Sequence, residues 1–224
     1  MTDWKRTYLA GSDSTTYKFR VEDYYEKRAA ENREAIAEAI HYRFKERYLD
    51  PLADTDRRRA SARPDMHGFT MMAVGCLLIE ALESFYQGLS STKNKSQQMF
   101  RDFFRGRDTR FRVFHDHASD FYHGVRCGIL HQAETRCGWR LRRTGPLLGL
   151  DSIRTINATR FVGELRKVLD AYRDELRGAA WNSERWTKAR TRLDAICGAC
   201  DPGSPCKPTN GTPATPKRPK GRRK

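Results

Sequence analysis

The sequence predicts an all-α protein: four or five helices around one core, a short β-hairpin inserted between the later helices, and a disordered basic tail. Three observations predict it. Apolar residues recur at helical spacing through most of the first 200 positions. That period breaks between Trp139 and Leu150, where side chains alternate around a turn signal. From Pro202 onward the chain has seven basic residues, six prolines and no acid, a stretch with few backbone donors and strong self-repulsion. The organisation expected is an N-terminal extension over 1–20, a helical domain over 21–200 and the tail over 201–224.

The elements follow in order. Val21 to Tyr48 sets Ile36, Ile40, Phe44 and Tyr48 on one stripe, which predicts an amphipathic helix. Pro51 and the polar run to Pro64 end it. Gly68 to Leu89 is apolar nearly all round, the pattern of a central buried helix, and Gly88, Ser90 and Ser91 close it. Ser96 to Phe104 is a short helix. Phe114 to Gln132 is another, with Phe121, Tyr122, Val125 and Ile129 inward. Trp139 to Arg143 and Leu147 to Leu150, joined by Thr144, Gly145 and Pro146, form the expected hairpin. Thr159 to Leu176 is strongly amphipathic, and a last helix runs from Asn182 to Cys197.

At about 150 residues per domain, 224 residues make one domain with trimmings, and 11% aromatic residues suffice for a packed core. The net charge is +15, and removing the seven basic residues of the tail leaves +8 on the body. Such a balance points to a polyanion, most commonly nucleic acid. No apolar run is read as reaching the roughly 20 residues of a membrane span; the longest, Met71 to Leu82, contains Glu80. No secretory signal is read at the N-terminus, so a cytoplasmic protein with no membrane partner is expected. The six cysteines, at 76, 127, 137, 197, 200 and 206, should then be reduced.

One constellation suits phosphodiester chemistry. Arg126 and His131 are five apart; on an α-helix this is roughly 140° of rotation and about 7.5 Å of rise. An extended arginine and an imidazole can still converge on one phosphate across the helix edge. Arginine offers a planar fork to phosphate oxygens, and histidine moves protons near neutrality. Glu80 interrupts the most apolar helix and demands a cation; Arg126 is the leading candidate, with Glu83 expected at the helix edge. Other groupings are weaker. His115, His117 and His123 are spaced along a helix so that the first two face opposite ways. Cys197, Cys200 and Cys206 begin like a zinc site, but a fourth ligand, such as Cys137, requires the tail to fold back; reduced thiols are the preferred reading. Tyr24, Tyr25 and Tyr42 sit among charges, as base-stacking rings or as a helix edge. No cofactor is expected.

The Arg126-x4-His131 motif, late in a helical bundle after an apolar helix bearing Glu80, resembles the HEPN superfamily over roughly Val21 to Leu176. Members include metal-independent ribonucleases of toxin–antitoxin, abortive-infection and other antiviral defence systems. The resemblance implies a HEPN-like bundle acting on RNA, with Arg126 and His131 catalytic, Glu80 orienting Arg126, and products ending in 2′,3′-cyclic phosphate. It also implies a homodimer that completes the site and, in a toxin setting, an antitoxin protein partner. One position departs: the residue after the arginine is usually polar, often asparagine, and here it is Cys127, a poor hydrogen-bond donor. A non-cutting RNA- or protein-binding module, or a basic helical nucleic-acid-binding protein, stays open as the alternative.

Overall fold

The computed structural model describes residues 3–53, 67–151 and 153–204. The tail from residue 205, Cys206 within it, and the polar run 54–66 lie outside the described residues. The described chain is mostly helical, with two small sheets. Before the first helix, in the stretch read as an extension, β1 (Tyr8–Gly11) pairs antiparallel with β2 (Lys18–Arg20). Leu9, Ala10 and Phe19 of this hairpin are buried in the core.

The long first helix of the sequence reading is two. α1 (Val21–Ala29) ends before Glu31, which takes a left-handed φ of 50°, and α2 (Arg33–Phe44) starts afresh. The reason is local: Asn32 accepts from the Ala35 amide at 3.0 Å and caps the new helix. The Ile36, Ile40 and Phe44 stripe is buried as expected. A π-helical stretch (Lys45–Leu49) extends α2.

α3 (Gly68–Gln87) is the central helix. Its 20 residues, at a mean hydropathy of 1.5, are long and apolar enough to cross a membrane by length and composition alone, which corrects the shorter run read between Met71 and Leu82. Here 56% of its apolar window is buried against neighbouring elements, as in a core helix. Gly88 closes it with φ of 67°, and a Cβ there would lie 2.9 Å from Lys188 Cα. Only glycine meets both demands.

α4 (Ser96–Gly106) brings Met99, Phe100, Phe103 and Phe104 to the core. The expected helix from Phe114 is instead a 3-10 stretch (Thr109–His117), α5 (Ala118–Phe121), a π-helical stretch (Tyr122–Cys127) and α6 (Gly128–Gln132). Phe104, Phe111, Phe114, Phe121 and Phe161 stack edge and face with ring centroids 5.0–6.1 Å apart. Such pairs add to the area they bury.

The expected hairpin is corrected too. β3 (Trp139–Arg142) and β4 (Leu148–Leu150) do not pair with each other. β5 (Arg154–Asn157) lies between them, parallel to β3 and antiparallel to β4. Ile156 of β5 is fully buried, and this apolar anchor draws the strand into the middle. α7 (Ala158–Gly178), capped by Asn157, packs along both α2 and α3. α8 (Glu184–Cys200), capped by Ser183, buries Trp186 and returns to the start of the chain. There Asp194 accepts from Tyr24 Oη at 2.9 Å and Arg28 Nη1 at 2.8 Å.

Candidate active site

Glu80 lies in the middle of α3 with its side chain 15% exposed, a position that requires a partner. The structure supplies two. Arg126 Nε donates to Glu80 Oε1 at 2.7 Å, and Ser96 Oγ donates to Oε2 at 2.8 Å. Arg126 is 16% exposed. Burial lowers its pKa, but the hydrogen bond and charge of Glu80 outweigh this and hold it above the ordinary arginine value. The guanidinium is fixed through one nitrogen. Its terminal nitrogens have no hydrogen-bond partner among the described residues.

The surroundings are built from the wide turn Tyr122–Cys127. The Tyr122 ring centroid is 5.7 Å from the Arg126 guanidinium carbon. Burial first, then the neighbouring Cys127 thiol, raise the Tyr122 phenol pKa above its ordinary value. Cys76, one turn before Glu80, is fully buried, and burial with the nearby Glu80 charge pushes its thiol pKa far up. Such π-helical turns often mark functional positions. This one is held from outside: the Arg136 amide donates to Gly124 O at 2.7 Å. A Cβ on Gly124 would lie 2.5 Å from Trp139 Cδ1, and one on Gly128 2.5 Å from Glu134 O. Both glycines let the following loop sit directly on the helix.

His131 is exposed on α6 and has no hydrogen-bond or ion-pair partner among the described residues. The structure thus joins Glu80 to Arg126, while among the described residues no hydrogen bond or ion pair joins His131 to Arg126. The arrangement offers a fixed cation with unused donors and, five residues on, an accessible imidazole.

The sequence reading missed Ser96, a short polar side chain with no motif around it, and gave Tyr122 only as an apolar helix position; its half-buried ring packs on the core and also meets Arg126. It also put Glu83 at a helix edge. Glu83 is fully buried, and Arg107 binds it through Nε and Nη2 at 2.7–3.1 Å, with Gln87 at 2.7 Å. His123 meets Gln97 at 3.1 Å, and His115 stands beside Asp116. Cys197 is buried, Cys200 donates to Ile196 O, and Cys137 is exposed in the turn before β3. Among the described residues no three histidine, cysteine or acidic side chains are grouped as metal ligands. Tyr24 is buried on Asp194, Tyr42 stacks on Tyr17 at 4.5 Å, and Tyr25 is partly exposed. A cleft of about 710 Å³ opens between the start of α3, at His67 to Thr70, and Leu141 to Thr144.

Comparison of the chain with protein-family models, curated proteins and solved structures yields no match.

Proposed function

We propose that the protein is a metal-independent RNA endonuclease of HEPN type, acting in the cytoplasm in a toxin–antitoxin or antiviral defence setting. The observation that carries the reading is Arg126, clamped by Nε on Glu80 with its terminal nitrogens unused, five residues before an accessible His131. A guanidinium held in this way binds a phosphate without the entropy loss of ordering itself, and it stabilises charge that develops on the phosphate in the transition state. His131 takes the proton of the ribose 2′-hydroxyl or gives one to the leaving 5′-oxygen. Attack of the 2′-oxygen on phosphorus breaks the P–O5′ bond and leaves a 2′,3′-cyclic phosphate. A second protomer supplies the other proton-transfer group.

Purified protein is expected to cut RNA in excess chelator. His131→Ala should abolish cutting with an unchanged circular dichroism spectrum. Equal cleavage by that variant overturns the assignment. One observation favours a second reading, an RNA- or protein-binding module that does not cut: Cys127, a poor hydrogen-bond donor, stands where the family usually carries a polar residue. RNA binding without cleavage by wild-type protein would select that reading.

A further inference from the structure

The chain that leaves the candidate site is fixed at both ends. Arg126 is held on Glu80. Leu141 Cβ lies 4.0 Å from where a Cβ on Gly68 would stand. Gly68 and Glu80 are twelve residues apart on α3, about 18 Å of helix. Arg136, Arg140 and Arg142 lie along this route. All three are exposed, and none has a hydrogen-bond or ion-pair partner for its side chain among the described residues.

Neighbouring arginines behave differently. Arg154 bonds Asp120 at 2.7 Å and covers Trp139, and Arg143 Nε donates to Thr159 Oγ1 at 2.6 Å. Strand alternation explains the split. Trp139 and Leu141 turn to the core, so Arg140 and Arg142 turn outward. Their register neighbours are Thr155 and Asn157 on β5, and Gly149 on β4 lies beyond Thr155. Thr155 and Gly149 are small and leave the outer face open beside Arg140, whereas Asn157, beside Arg142, is buried and donates to Gly145 O at 2.8 Å. A groove of about 190 Å³ runs there, lined by Arg142, Thr144, Gly149, Thr155 and one carboxylate, Asp151. At the other end Arg136 Cγ lies 3.3 Å from a Cβ placed on Gly128, two residues past Arg126.

We propose that Arg136, Arg140 and Arg142 form a phosphate track that carries single-stranded RNA across the outer face of the sheet towards Arg126. The proposal rests on the RNA reading of the Arg126 site. Arg140 and Arg142 repeat at about 7 Å along one strand, a row suited to a linear polyanion. Guanidinium forks take phosphate oxygens directly. Trp139, the only aromatic residue of the three strands, is buried, so no ring stacks a base and the track holds backbone without reading sequence.

The test uses the full-length chain with His131→Ala, which prevents cleavage, against a labelled 20-nucleotide polyuridine over a salt series. Vesicles of phosphatidylcholine with phosphatidylserine serve as a second polyanion. Adding R136Q, R140Q and R142Q should make the slope of log K against log salt shallower by about 2 units, at about 0.7 for each phosphate no longer neutralised. R140Q alone, which removes a side chain with no partner, should account for about 0.7 unit. An unchanged slope, no RNA binding by the parent, or loss of vesicle binding with RNA binding intact overturns the track. Cleavage by the His131-containing protein separates the two readings. Cleavage with an unchanged slope refutes the track alone. A shallower slope with no cleavage refutes catalysis alone.

Discussion

Glu80 and Glu83 are three residues apart on α3, and each binds an arginine, but the two pairs differ in what they leave over. Glu83 is enclosed: Arg107 meets both its oxygens and Gln87 adds a third donor. Glu80 spends one oxygen on Ser96 and takes only one nitrogen of Arg126. Glu80→Ala should therefore strand a largely buried guanidinium and cost about 3–5 kcal/mol of stability, read by urea unfolding. A midpoint equal to wild type would remove Glu80 from the site. Glu83 gives a pH signature. Burial raises its carboxyl pKa above the ordinary value although Arg107 opposes this. The folded state then keeps a proton that the unfolded chain has lost, so this stabilising contribution is full at low pH and fades as pH rises through the raised value. Above the ordinary glutamate value of about 4.3, the stability of wild type relative to Glu83→Gln should fall as pH rises towards the raised value. A constant or growing difference contradicts the raised pKa.

At the scale of elements, the wide turn Tyr122–Cys127 depends on what lies against it. Alanine normally improves a helix by about 1 kcal/mol over glycine. At Gly124 the added Cβ meets the Trp139 ring at 2.5 Å and the Arg136 carbonyl at 2.9 Å. Gly124→Ala should thus destabilise by roughly 1–3 kcal/mol, measured by thermal unfolding. A gain in melting temperature would show that the loop yields. The same region shows what the sequence could reveal. An acid in an apolar helix demands a cation, so Glu80 and Arg126 were legible from residue types. The cores of α3 and α7 were legible because their apolar faces are wide. The break at Asn32 was hidden because the stripe from Ile36 to Tyr48 lies wholly beyond it and no glycine or proline marks the turn. β1, β2 and β5 were hidden because three or four residues are too few to establish alternation. The pairing of Glu83 with Arg107 depends on how α4 lies against α3, which no local pattern encodes.

For the whole molecule, a second protomer is part of the proposed function, and three exposed apolar side chains can be tested for its contact. Phe69 and Leu77, 40% and 41% exposed, lie eight residues apart on α3, and Leu130, 38% exposed, stands on α6, which packs against α3. Sedimentation equilibrium at micromolar concentration should give about twice 26.0 kDa, and Leu77→Asp with Leu130→Asp should shift it towards one. A monomer that still cleaves RNA would show that a single chain holds the whole site.

The clasp between α1 and α8 also has a consequence in time. Tyr24 and Asp194 are separated by 170 positions. A ribosome adding about 5–20 residues per second takes about 10–30 s to cover that interval. Until α8 emerges, Tyr24 has water in place of Asp194, and its ring has no cover on that side. The clasp therefore closes late in synthesis, and the amino-terminal segment stays open to solvent until then.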